Sequence, residues 1–186
     1  AACAARGIMA YRMFDVLQGA FAQIVPEIIP ALGEGGPSVI SISGRGADGN
    51  WLITDGILGS WGGGGRHDGI EGIANPLGNL SNQPIELIEA RLPIKISDYS
   101  FVNDSGGAGK HRGGLAMRRT YEMLADGAQL GLRSDRRVHR PRGAKGGLNG
   151  TPSLNILTHN GDQTLLPSMP NTVATLDLGD KVCHIA

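Results

Sequence analysis

The chain has 186 residues, 40% of them hydrophobic, and 17 basic side chains balance 17 acidic ones. A chain of that length makes one domain with a real core. Neutral charge with ample apolar content argues against disorder, and it leaves no electrostatic footprint for a nucleic-acid or membrane partner. Glycine is the outlier at 30 residues, more than twice the usual share of about 7%. It comes in clusters without a triplet period, which predicts structured loops and close backbone approach.

In chain order, the apolar residues Met13, Val16, Leu17, Ala20, Phe21 and Ile24 recur at helical steps and predict an amphipathic packing helix over about 8–30. Pro26 and Pro30 disturb it, and Gly33, Gly35 and Gly36 end it. From Ser38 the period changes to two. Ser38–Ser43 and Trp51–Leu58 read as paired strands around a turn at Gly44–Asn50. A glycine loop runs from Gly59 to Gly72, and Pro84–Ala90 reads as a short helix with Pro in its first turn. Pro93–Phe101, Ala116–Leu124, Ala128–Asp135 and Ser153–His159 read as further strands, with a hairpin turn at Asn160–Asp162. The expected class is α+β: an N-terminal helix, then a mostly antiparallel, glycine-rich β domain over 38–186, the whole forming one partial domain.

Two glycine motifs suggest nucleotide binding and fail on context. Gly44-Arg45-Gly46-Ala47-Asp48-Gly49 fits G-x-G-x-x-G, but β-like residues follow where a helix must begin, so a hairpin turn is expected. Gly106–His111 resembles a P-loop, but the first glycine would fall at Asp104, and the Ser/Thr after Lys110 is replaced by His111. His67, Asp68 and His111 offer metal-ligand chemistry without a metal-site spacing, and no metal site is expected within the chain. Arg133, Arg136, Arg137, Arg140 and Arg142 form a basic stretch that either binds an anion or pairs internally with acids such as Asp135. Cys3 and Cys183 lie at opposite ends and suit a reducing, cytoplasmic setting. No apolar run is long enough to span a membrane.

From Trp61 onward the motifs fall into an ordered set. Trp61-Gly62 precedes Asp68-Gly69. Asn79, Asn82-Gln83-Pro84-Ile85-Glu86 and Glu89 come next, and then Asp104-Ser105-Gly106-Gly107-Ala108-Gly109-Lys110-His111-Arg112-Gly113-Gly114. Leu132–Arg137 and Gly143-x-x-Gly146-Gly147 complete it. This order resembles the C-terminal part of the hydantoinase B/oxoprolinase family, with its W-G-x5-D-G, N-x-P-[VI]-E-x-x-E and D-S-G-G-A-G-x-x-R-G-G blocks. The resemblance implies part of an ATP-dependent hydrolase of cyclic amides, either a hydantoin, 5-oxoproline or another lactam. It equally admits a non-catalytic scaffold fragment of such a complex, or part of a related ketone carboxylase.

The resemblance also implies a hydantoinase A-like ATP-binding partner holding ATP and Mg²⁺, assembly into homo- and hetero-oligomers, and a divalent metal whose His and Asp ligands lie in the family's upstream half. Both that half and the family's closing glycine run are missing here, so the chain reads as truncated at both ends and inactive alone. The candidate substrate- or anion-proximal residues are Gly62, Gly63, Gly64, Arg66, Asp68, Asn79, Asn82, Glu86 and Arg112. The Gly62–Gly65 run offers backbone N–H groups to an oxyanion or forms a turn with positive φ. Asp68 orients a ligand or caps its loop. Asn79 and Asn82 hold their loop. Glu86 and Glu89 share a helix face and are expected to pair with Arg91 or Arg112. Arg112 serves as an anchor or a phosphate clamp.

Overall fold

The computed structural model describes residues 6–34, 36, 38–47, 49–78, 80–170 and 173–186. Cys3, Gly35, Asp48 and Asn79 lie outside the described residues. The chain is α+β: helices α1 (Arg6–Phe21) and α2 (Ile85–Arg91), and strands β1 (Ser38–Gly46), β2 (Gly49–Ile57), β3 (Ile94–Phe101), β4 (Met117–Met123), β5 (Ala128–Arg133), β6 (Leu154–His159), β7 (Asp162–Leu166), β8 (Ala174–Leu176) and β9 (Lys181–Ile185).

Period-two patterning builds two antiparallel sheets, ordered β2-β1-β5-β8 and β3-β4-β9-β6-β7. On β1, Ile40 and Ile42 point inward, and on β5 Ala128, Leu130 and Leu132 do so. They share one core with Ile53 and Ile57 of β2, Tyr121 and Met123 of β4, Val182 of β9 and Ile88 of α2. Burying each such large apolar side chain contributes about 1.5–3 kcal/mol.

The same alternation carries charge inward. Arg119 has the parity of Met117, Tyr121 and Met123 on β4, and Asp55 has the parity of Ile53 and Ile57 on β2. The two meet across the sheets at 2.9 Å, and the Tyr121 hydroxyl donates to Asp55 at 2.6 Å. Arg119 is packed against the faces of Tyr99 and Tyr121 and donates to the Gln83 carbonyl.

Two expected hairpins form as the turn chemistry directs. Gly46 pairs with Gly49 to close β1–β2, and Trp51 lies against Gly44, where a Cβ would meet the indole at 2.5 Å. Asn160 and Gly161 take φ of 51° and 88° and close β6–β7 with a two-residue turn, the backbone that Asn-Gly favours. Gly106–His111 is irregular and no helix follows it.

Helix α1 departs from expectation in length and orientation. It stops at Phe21 rather than near residue 30, and isolated turns continue to Ile29. Pro26 lacks the N–H for the helical ladder and restricts the residue before it. Its apolar stripe is not the face that packs: Met9, Met13, Val16, Leu17 and Phe21 are each more than half exposed, as are Ile24 and Ile28 just beyond it. The polar face packs instead. Arg12 donates to Asp135 at 2.7 Å and to Asp15 at 2.5 Å, and Arg136 reaches Asp15 at 2.7 Å. An ionic latch therefore ties α1 to the segment after β5. Among the described residues no helix is long and apolar enough to cross a membrane.

Candidate functional site

Four irregular segments, around Ala31, Trp61–Gly69, Ser105–Gly114 and Leu148–Thr151, stack on each other through backbone hydrogen bonds. Gly114 N–H donates to Trp61 O at 2.9 Å and Gly69 N–H to Arg112 O at 2.7 Å. Leu148 N–H donates to Ala108 O at 2.8 Å, Thr151 N–H to Ser105 O at 3.0 Å, and Ala31 N–H to Gly63 O at 2.9 Å. The stack requires glycine because the backbones nearly touch. A Cβ on Gly62 would lie 2.1 Å from Ala31 O, on Gly107 2.1 Å from Leu148 O, and on Gly106 2.2 Å from Gly113 O. None of Gly62–Gly65 has positive φ, so the expectation of a left-handed turn there is corrected to close backbone packing.

Between the segments lies a cleft of about 390 Å³ lined by Trp61, Gly62–Gly65, Ser105–His111 and Pro141–Lys145, among others. Among the described residues, the N–H groups of Gly62, Gly63, Gly65, Gly106, Gly107 and Gly109 donate to no acceptor in the chain. The cleft's side-chain charges are Lys110, Arg142 and Lys145 against one acid, Glu27, with His111 beside them. Amides without an acceptor among the described residues, set beside cations, are the chemistry that an anion requires.

The candidate residues divide. Gly62, Gly63 and Gly64 line the cleft. Asp68 and Arg112 stand at its rim, since a Cβ on Gly63 would touch the His111 and Arg112 carbonyls. There Asp68 accepts the Arg112 N–H at 3.1 Å and lies 3.6 Å from the His111 ring. The carboxylate partners of Arg112 are Glu71 at 2.7 Å and Asp68 at 3.7 Å. The expected pairing of Glu86 or Glu89 with Arg91 or Arg112 is therefore corrected: among the described residues no ion pair joins either glutamate to either arginine. Glu89 instead accepts the Ile96 N–H at 2.8 Å, capping the start of β3. The Glu71 pair raises the pKa of Arg112 and lowers that of Glu71. Arg66 is exposed and outside the lining. Asn82 bonds the Tyr99 hydroxyl, and Glu86 sits in the first turn of α2. Neither lines the cleft, and Asn79 lies outside the described residues.

The basic stretch splits in two. Arg136 turns inward to Asp15 and the Glu34 carbonyl, Arg137 donates to Ser153 O, and Arg142 faces the cleft. Sequence reasoning missed the cleft set Lys110–Arg142–Lys145 as a unit. The available signal was that Lys110 and Lys145 are cations embedded inside glycine blocks. It also missed His159, Asp177 and Asp180, whose ligand atoms lie within 4.8 Å of one another. There Asp180 accepts from His159 at 2.9 Å and from the Asp177 N–H at 2.9 Å, forming a closed turn cap that raises the His159 pKa.

Comparison with known proteins gives a consistent result. The family description "Hydantoinase B/oxoprolinase" matches residues 1–185. The uncharacterized protein MJ0963 of Methanocaldococcus jannaschii is 36% identical over 171 residues, covering 92% of this chain and 29% of that protein. Caprolactamase subunit beta of Pseudomonas jessenii is 30% identical over 183 residues, covering 92% of this chain and 31% of that one. The crystal structure of the ATP-dependent caprolactamase from Pseudomonas jessenii superposes with a TM-score of 0.75 at 26% identity, over 89% of this chain and 30% of that chain. The chain thus spans under a third of the length of these relatives.

Proposed function

The chain belongs to the hydantoinase B/oxoprolinase family, and from that premise we propose that it is part of the hydantoinase B-type subunit of an ATP-dependent hydrolase of cyclic amides. The observation that carries this reading is the glycine-walled cleft, in which the family-like motif blocks around Trp61, Gly106 and Gly143 come together around unpaired amides and three cations. The relatives add support, one named a caprolactamase subunit and another titled an ATP-dependent caprolactamase.

In this reading a hydantoinase A-like partner holds ATP and Mg²⁺ and transfers a phosphoryl group to the amide oxygen. That makes the amide carbon more electrophilic and adds negative charge. The cleft then receives the charged group. The N–H groups of Gly62, Gly63 and Gly107, without an acceptor among the described residues, serve the oxyanion as uncharged donors, and Lys110, Arg142 and Lys145 supply the countercharge. Arg112, held by Glu71 and Asp68, fixes the rim. Arg66 meets solvent, Asn82 holds Tyr99 of the edge strand β3, and Glu86 is exposed in the first turn of α2.

The family's divalent metal would activate water for attack. Such ions take carboxylate, imidazole or thiolate donors, and a cleft that offers one carboxylate, Glu27, and one imidazole, His111, beside three cations does not fit one. Its ligands belong to the rest of a full-length subunit, and these 186 residues act as one partial domain of it.

The test has two parts. Titration with inorganic phosphate should shift the Gly62 and Gly107 amides in NMR spectra, and Lys110→Ala with Lys145→Ala should abolish the shifts. The complex with its ATP-binding partner should show ATP turnover that depends on hydantoin, 5-oxoproline or caprolactam. No turnover with any of the three would refute the reading.

A second reading has its own observation. The exposed apolar stripe from Met9 to Ile28 is a surface made for protein contact, and it favours a scaffold and subunit-interface role for this part of the subunit.

A further inference from the structure

Behind the glycine wall lies a second, smaller cavity of 160 Å³. Ala31, Gly33, Ser60, Trp61 and Gly62 line both it and the cleft, so one layer of chain separates them. Glu34 belongs to the inner cavity and is more than nine-tenths buried. Its Oε2 accepts the Gly36 N–H at 2.8 Å, and its Oε1 has no partner among the described residues. Asp15, Gln18 and Asn75 also line the cavity; the Asp15 Oδ2 is held by Arg12 and Arg136, and the Asn75 Oδ1 by the Leu77 N–H.

The charges around Glu34 cancel. Arg12 and Asp15 face it from α1, and Asp135 and Arg136 face it from the segment after β5, two cations against two anions already paired with each other. Burial pushes the carboxyl up to about 8 despite both arginines. Near neutral pH it is therefore a protonated acid, with a hydroxyl donor that meets no acceptor among the described residues. An unmet buried donor is costly, and a ligand or water that accepts from it recovers that cost.

We propose that this cavity binds a small neutral carbonyl compound of one ring, an amide or lactam, whose oxygen accepts a hydrogen bond from the Glu34 carboxyl. Size, neutrality and the need for an acceptor come from the cavity itself: a space of about 150 Å³ admits one six-membered ring. The choice of an amide among carbonyl compounds rests on the function proposed above.

The probe is 2-pyrrolidone, with pyrrolidine, a ring-matched cation without the carbonyl, as control. In ¹H–¹⁵N spectra of the 186-residue chain, 2-pyrrolidone should shift the Gly36 and Gly62 amides saturably, and pyrrolidine should not. Glu34→Leu should weaken binding about ten-fold, the worth of one hydrogen bond to a buried group. Glu34→Gln, which keeps a donor, should bind within a few-fold of wild type. Raising the unmodified chain to about pH 9.5 removes the same proton without any mutation and should release the ligand.

Absence of saturable shifts, equal binding of pyrrolidine, or unchanged affinity at high pH would overturn the proposal, and so would binding by Glu34→Leu as tight as wild type. Lactam-dependent ATP turnover of the complex is read separately. Its failure with 2-pyrrolidone binding intact removes the proposed function and leaves the cavity's ligand standing. Intact turnover without 2-pyrrolidone binding removes only the cavity.

Discussion

Arg119 and Asp55 face each other across the two sheets at 2.9 Å, with side-chain exposures of 0% and 2%. An ion pair out of water gives little net stability, but removing one partner strands the other charge. Asp55→Ala should therefore cost about 3–5 kcal/mol in denaturant unfolding. The joint change Asp55→Leu with Arg119→Met should recover most of that loss. A double variant as unstable as Asp55→Ala would show that the pair is itself a net source of stability.

Glu34 makes stability depend on pH. Its folded pKa, about 8, lies above its ordinary 4.5, so the folded state holds a proton that the unfolded chain releases. Stability from this group is complete below pH 4.5 and is lost as pH rises to about 8, a change on the order of a few kcal/mol. Unfolding midpoints measured across that range should fall, and Glu34→Gln should flatten the fall. A wild-type profile retained in Glu34→Gln would contradict the assignment.

His184 acts in the opposite sense. It pairs with Asn155 at 2.6 Å, its Nε2 is buried without a partner among the described residues, and burial lowers its pKa to about 3 from 6.5. The neutral ring is favoured in the folded state, so this contribution is complete above pH 6.5 and is lost as pH falls to about 3. Between 4.5 and 6.5 the Glu34 and His184 slopes oppose each other, and a stability plateau is expected there. His184→Gln should remove the decline on the acid side and leave the alkaline decline in place.

Two glycines should respond oppositely to alanine. Gly107 would place its Cβ 2.1 Å from the Leu148 carbonyl, whereas Gly19 in α1 has nothing within 4 Å. Gly19→Ala should stabilise by about 0.5–1 kcal/mol, because alanine loses less entropy in a helix. Gly107→Ala should force the cleft segments apart and cost more than about 1 kcal/mol. Thermal unfolding and phosphate titration of both variants check this, and equal effects would contradict the close-packing account of the glycine blocks.

Much of this protein was legible without coordinates. Alternation in SVISIS and AQLGLR gave strands whose inward residues form the core, and Asn160-Gly161 gave its turn. The ordered blocks from Trp61 to Gly147 identified the family. Local chemistry was enough in each case, because side-chain period and turn φ are properties of a few neighbouring residues.

The tertiary structure decided what distance in sequence conceals. Helix α1 turns its apolar stripe outward because Arg12 and Asp15 find Asp135 and Arg136 more than a hundred residues away. No local period encodes that encounter. The glycine clusters predicted turns and close backbone approach, but not which segments approach: four remote ones pack backbone against backbone. The same stacking gathers Lys110, Arg142 and Lys145 at one cleft and seals Glu34 behind it. Sequence determined the elements and the family. Long-range packing, which sets burial and therefore charge state, determined which side chains can do chemistry.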